Sequence, residues 1–456
     1  MQYIEPASMP TLSNRNLLIF FIAILVFVPL PFGSNRPMYW WMSEFALHLL
    51  TMGVLVEVAF IQKLTLRGID RGAAALLALF TALVSWQWLT GETLDPHATQ
   101  SQLLKTVSLI EVFFLTIVLV NSRQHLRWLA TALVLAGTFQ AVYGSLMTVT
   151  GTDYIWNQPK DVYQGVATGT FVNRNHLAGY LEMCLALGLG LLIANLEDNG
   201  AVTWRQFFRR IINTMLGEKA RTRIYLALMV IGLILSQSRM GNTAFFASMM
   251  ISGFIGLLLF RKSSRGVVVL FASLLVIDIF LMGTFFGIDK VQQRLQSTSL
   301  DTEERLVVNE LSLAIVKDNL WTGTGLGTYY TAFPPHRNEQ VPQAYVHAHS
   351  DLIEFPSELG ILGTLPLSLL VLYSFVTAIR VQMSRRSRLL RAMGFSSGMG
   401  IIAIMLHSLT DFNLQIFANA ATFMVILALP FVCMNVERKV HHRSSRSRGS
   451  SDKLPM

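Results

Sequence analysis

Two imidazoles and three carboxylates fall within one short stretch of this 456-residue chain: His347, His349, Asp351, Glu354 and Glu358. A neutral imidazole near pH 7 takes a proton from a hydroxyl, and a neighbouring carboxylate fixes its tautomer. Wound as a helix, residues 351–358 place Asp351, Glu354 and Glu358 at i, i+3 and i+7 on one face, with both histidines at the entrance. Pro356 removes one backbone donor and predicts a kink there. The His-x-His pair also suits a metal, but no further histidine or cysteine follows at a familiar ligand spacing, so no metal is expected. His349 borders the return to apolar sequence and is the better general base, with His347 in a supporting place; a purely structural histidine is the alternative.

The elements that carry this stretch are set by composition. Hydrophobic residues make up 52% of the chain and charged residues only 14%, with a mean hydropathy of +0.48. Soluble domains carry about 25% charged residues, so the chain reads as a polytopic membrane protein, all-α, with about 12 transmembrane helices. The windows lie near 16–33, 40–61, 72–90, 103–120, 128–149, 175–196, 222–236, 242–260, 267–287, 359–379, 392–410 and 414–436. The seventh is short, and only Asp411-Phe412-Asn413 joins the last two. The organisation expected is an N-terminal bundle of about nine spans over 1–287, a long outer loop with short helices over 288–358, C-terminal spans over 359–436 and a basic tail over 437–456. Cys184 and Cys433 both sit in apolar runs and are expected to pack rather than pair.

Most of the 36 lysines and arginines fall in alternate loops. The positive-inside rule then puts both termini in the cytoplasm, and the Ser- and Arg-rich tail beside an anionic leaflet rather than on nucleic acid. The long loop before the tenth span lies outside; within it, residues 302–317 read as an amphipathic helix, and Gly323, Gly325 and Gly327 as a tight turn. Outer arginines are few. Arg174 sits among Asn173 and Asn175 where a loop enters the sixth span, and Arg239 sits in Ser236-Gln237-Ser238-Arg239-Met240-Gly241. Forked guanidinium donors suit phosphate oxygens, although an isolated interfacial arginine more often contacts lipid headgroups. Arg337 is a third phosphate candidate. Tyr329, Tyr330, Trp156 and Trp321 would stack on sugar rings or simply form an interfacial belt. Glu44, Glu57, Glu111, Glu182 and Asp278 lie inside spans, where a proton- or ion-coupled transporter would use them. They are scattered singly, with no matched pair of broken spans, so transport is the rival reading. A non-enzymatic scaffold is a third.

The run His349-Ser350, nine residues, Gly360, two residues, Gly363 resembles the histidine signature of the O-antigen ligase and polymerase family. Phe171-Val172-Asn173-Arg174-Asn175, Ser238-Arg239-Met240-Gly241 and the Gly323 to Gly327 turn are similar to further motifs of that family, in order along the chain. Met240 stands where the family often has glycine. The resemblance implies a GT-C-like glycosyltransferase, multi-pass in the bacterial inner membrane, with a periplasmic active site and neither metal nor other cofactor. It implies an undecaprenyl-pyrophosphate-linked glycan as donor. The acceptor would be lipid A-core in a ligase, or a growing glycan in a repeat-unit polymerase. In these terms Arg174, Arg239 and Arg337 bind pyrophosphate and His349 deprotonates the acceptor hydroxyl for inverting attack. His347, Glu354, Glu358, Asn173, Asn175, Tyr329 and Tyr330 then support the base or bind sugar.

Overall fold

A computed structural model describes residues 14–61, 66–195, 218–259, 307–339, 341 and 345–448. It is helical almost throughout, the exception being a two-residue hairpin, β1 (Tyr154–Ile155) paired antiparallel with β2 (Gln158–Pro159). Among the described residues nine helices are long and apolar enough to cross a membrane. They are α2 (Pro37–Val56, prolonged to Phe60), α3 (Arg71–Thr90), α4 (Pro96–Leu119), α5 (Arg123–Thr150), α6 (Arg174–Ala194), α8 (Arg239–Leu259), α11 (Asp351–Ser384), α12 (Arg388–His407) and α13 (Phe417–Arg448, spanning to Val436). This is an all-α, multi-pass membrane protein. Two further expected spans are helices of lesser apolar length: α1 (Asn14–Phe27) is short, and α7 (Glu218–Leu235) opens on Glu218, Lys219, Arg221 and Arg223. The span expected over 267–287 lies outside the described residues.

The helix starts follow from local chemistry. Asp70, Asp95, Ser122 and Asn173 each cap the helix that follows by accepting backbone N–H groups. Pro37 and Pro96 begin α2 and α4, where the missing donor costs nothing. Helices α6, α12 and α13 form the centre: nearly every residue of α6 from His176 to Leu192 is buried. Small residues permit this approach, since a Cβ on Gly190 would meet Ser396 and one on Gly188 would meet Leu226. Helices α2 and α3 instead expose Phe45, Phe60 and Leu89, as lipid-facing helices do. Cys184 and Cys433 are both buried and unbonded to each other.

The expected tenth span begins earlier than its apolar run. Helix α11 starts at Asp351, and residues 351–358, assigned above to the outer loop, are its opening turns. The break falls at Gly360 (φ 58°, ψ −167°) and not at Pro356. A regular helix would bond Ile361 N–H to Ser357 C=O and Leu362 N–H to Glu358 C=O. Instead Ile361 and Leu362 donate to Leu320 (2.8 Å) and Trp321 (3.1 Å), while Ser357 and Glu358 accept from Thr324 (3.0 Å) and Gly325 (2.8 Å). Gln87 of α3 locks this exchange by donating to Thr322 C=O (2.6 Å) and Glu358 C=O (3.0 Å). Proline removes one donor, whereas the pairing with residues 320–325 needs a backbone turn that only glycine adopts. The glycine turn beyond is as expected, with φ of 70°, 107° and 83° at Gly323, Gly325 and Gly327. The described part of the expected amphipathic helix, 307–318 (α9), buries Val308 and Ile315 against Tyr329 of the short helix α10 (Tyr329–Ala332) and against Phe333.

Replacing Gly360 by alanine would drive a Cβ into the backbone of Trp321 and force an L-residue into that φ/ψ region. A destabilisation of roughly 2 kcal/mol or more is expected for Gly360→Ala. Gly363→Ala would meet only the Leu359 side chain and should cost less. Thermal unfolding of the two purified variants checks this, and equal midpoints would contradict the exchange at Gly360.

Candidate active site

Three helix starts meet at one end of the bundle. Arg174 is the first residue of α6, Arg239 the first of α8 and Asp351 the first of α11. The Arg174 turn is built by Asn173, whose Oδ1 accepts from Asn175 N (2.8 Å), with Phe171 buried beneath it against Tyr180. The Arg174 guanidinium lies over the Tyr163 ring, 5.4 Å from its centroid. The Arg239 turn is held by Ser238 Oγ, which accepts from Gly241 N (3.2 Å), and by Asn242 Nδ2, which donates to Ser238 O (2.7 Å). Left-handed backbone falls on Gln237 (φ 53°), so Met240 sits comfortably in helix where the family often has glycine. A Cβ on Gly241 would collide with Ala178, one turn along α6 from Arg174. The two arginine turns are therefore neighbours.

The connection between α12 and α13 joins these turns to the histidines. Gly179 of α6 packs against Asn413, and Asn419 Nδ2 donates to both His176 O (2.9 Å) and Asn413 Oδ1 (2.8 Å). Asp411 C=O accepts from Asp351 N (3.0 Å), and Asp351 Oδ2 accepts from Ser408 Oγ (2.8 Å) and Leu414 N (3.1 Å). Between them stands Phe412. Its ring stacks on His347 (centroids 4.3 Å apart, 19° between planes) and makes edge contacts with His176 (4.8 Å, 76°) and His349 (5.3 Å, 67°). His349 also meets Tyr345 edge to face at 5.5 Å. His349 has φ 53°, an unusual backbone state for a non-glycine residue that costs about 1 kcal/mol or more.

The three carboxylates share one face, as their spacing requires, and all three are buried. The face turns inward. Glu354 accepts from His347 Nδ1 (2.7 Å) and from Ala348 N (2.8 Å), so it orients His347 and the loop before His349. Glu358 accepts from Tyr329 N (3.0 Å) and serves the glycine-rich turn. Tyr329 is buried, its hydroxyl 2.6 Å from Ser312 Oγ, which takes it away from any sugar; Tyr330, Trp156 and Trp321 are exposed. Arg337 is exposed after the Pro334–His336 turn, with Nε donating to Pro334 O (3.4 Å).

Two features were not legible in the sequence. The acids inside spans are not all solitary: Glu182 accepts from His407 Nδ1 (2.8 Å) with both side chains fully buried, and Glu111 takes His48 Nδ1 (2.9 Å). The second is a cleft of about 660 Å³ between α3, α4, α11, α12 and α13. Asp351, Ser408, Gln415 and Lys105 line its polar part; Leu77, Phe375 and Leu427 lie in its apolar remainder. Lys105 Nζ donates to Gln415 O (2.6 Å), tying α4 to the turn that carries Phe412.

The fold and this end of the bundle define a multi-pass membrane protein with paired arginine and histidine turns at one face. The O-antigen ligase family model matches residues 224–368, a stretch that includes Arg239 and His349. The family supports ligase- or polymerase-type glycosyltransferase activity and polysaccharide biosynthesis, with a lipid-linked glycan and an acceptor as partners. No curated protein matches the chain. Arg174 and His176 lie before the matched stretch, and the structure brings them to it.

Asp411 gives the site a pH signature. Burial would raise the proton affinity of its carboxyl, but the His176 imidazole 3.6 Å away, the nearby His407 and the Phe412 N–H together hold it below the ordinary carboxylate range. A depressed folded value stabilises the fold above the unfolded carboxylate value near ~4 and is lost as pH falls through and below it. The melting midpoint of the unaltered protein should therefore fall on acidification below about pH 4, and Asp411→Asn should flatten that fall while lowering the midpoint at neutral pH. An acid profile identical in both proteins would remove Asp411 from this role.

Proposed function

We propose that this protein transfers a glycan from undecaprenyl pyrophosphate to an acceptor hydroxyl at the periplasmic face of the inner membrane, both termini being cytoplasmic. The observation that carries the reading is the meeting of the Arg174, Arg239 and His349 turns at one end of the bundle through the Asp411–Asn413 connection. Each arginine sits at the positive end of its helix dipole, where an anion is favoured. A pyrophosphate there meets guanidinium forks and helix N-termini together, and the charge that develops on it as it leaves is stabilised. His349 takes the acceptor proton, and the oxygen attacks the anomeric carbon opposite the leaving pyrophosphate, with inversion. The step needs no metal or nucleotide sugar. The apolar cleft beside Asp351 suits a long lipid chain whose head lies at the polar end.

Ligase chemistry, with lipid A-core as acceptor, is the first assignment, and repeat-unit polymerisation by the same site is the alternative. Deletion separates them. Lipid A-core without long chains, with long polymer still on the carrier, means ligase; single repeats mean polymerase. Arg174→Ala, Arg239→Ala and His349→Ala should each lower transfer by about 10²-fold or more while the protein still inserts. Full surface glycan in all three strains would overturn the reading. Transport without any acceptor, in reconstituted vesicles, would favour the transporter instead.

A further inference from the structure

The imidazole proposed as base stands on a left-handed backbone (φ 53°) and meets the rings of Phe412 and Tyr345, while Glu354 of the same segment is engaged with His347 and Ala348. A residue in left-handed backbone keeps that conformation only where its surroundings over-determine it. One group that touches those surroundings is Phe412. One face of its ring is covered by His347, which the buried Glu354 fixes, and its other contacts are His176 and His349. The ring is itself fixed from below: Phe412 N donates to Asp411 Oδ1 (2.8 Å), Asp411 C=O receives Asp351 N, and Lys105 holds Gln415 O two residues beyond Asn413.

We propose that Phe412 is a positioning residue for His349. The sequence Glu354, His347, Phe412, His349 is a stack that carries position from a buried carboxylate to the base. The proposal rests on the base role given to His349 above. The other titratable groups around the stack are Tyr345 on the histidine segment, His176 and Asp411 across the ring, and Glu358 and Lys105 beside Glu354.

The test uses full-length protein in membranes, with a synthetic polyprenyl-pyrophosphate glycan as donor and lipid A-core as acceptor, and compares Phe412→Leu, Phe412→Tyr and His349→Ala. Phe412→Leu should bind donor with unaltered affinity, keep both KM values within about 2-fold and lose about 10- to 100-fold in kcat. Phe412→Tyr, which keeps the ring, should restore at least half of kcat. A Phe412→Leu enzyme with ordinary kcat would overturn the proposal. So would one that also loses donor binding, which marks a merely structural ring, and so would a Phe412→Tyr enzyme as slow as Phe412→Leu. Undiminished transfer by His349→Ala would overturn the base role itself, whatever the Phe412 variants do.

Discussion

A helix in an apolar surrounding cannot give up backbone hydrogen bonds without making them elsewhere, and the arrangement of this protein depends on how that constraint is met at Gly360. There the chain leaves the helix for one residue, and four backbone groups are re-paired with residues 320–325. The exchange pins the long connection against the start of α11. It also lets residues 351–359 point separately from the apolar shaft that follows, so that Asp351 can pair with the α12–α13 connection while the shaft packs elsewhere. Had the helix run straight from Asp351, Glu358 C=O would be capped within the helix and the glycine-rich turn would have no edge to join.

Much of this was legible in residue types. Apolar windows located the spanning helices, because length and hydropathy alone decide whether a segment can span. The one-face spacing of Asp351, Glu354 and Glu358 and the positive-φ glycines at 323, 325 and 327 followed from helical geometry and from the absence of a Cβ. What sequence could not supply was partnership across the chain. Glu354 takes His347 seven residues away, but Phe412 reaches His347 and His176 from a connection of three residues between two apolar runs, which carries no local signal of its own. The break at Gly360 was likewise mistaken for a kink at Pro356, because proline announces a lost donor in sequence whereas the exchange at Gly360 needs residues 320–325 to be seen. The burial of Tyr329 is of the same kind: the sequence shows an aromatic after a turn, and only α9 above it decides that it is core.

The buried carboxylates raise a question of cost. Each ionised carboxylate withdrawn from water loses several kcal/mol of solvation, which only close donors offset. Asp351 has Ser408 Oγ and Leu414 N, Glu354 has an imidazole and a backbone N–H, and Asp411 has Phe412 N and the His176 ring. These donors lie at the same end of the bundle, and all but Phe412 N come from a different element than the carboxylate they serve. The network thus fixes α6, α11 and the α12–α13 connection relative to each other, which is what two guanidiniums and an imidazole need if they are to act on one bond.

The same reasoning weighs transfer against transport. A coupled transporter needs ionisable groups that change partners along a route through the membrane. Glu182 is instead closed against His407 with neither side chain exposed, and Glu111 is bonded to His48 through both oxygens. Such pairs hold helices together: Glu182 ties α6 to α12, and Glu111 ties α4 to α2. The Arg174 end of the bundle holds two arginines on adjacent helix starts and three imidazoles around one aromatic ring, a set that suits the proposed transfer, with its leaving anion and its hydroxyl proton. An anion site and a proton acceptor held together at a fixed surface fit the proposed group transfer, whereas a path of alternating access would have no use for a base fixed in place.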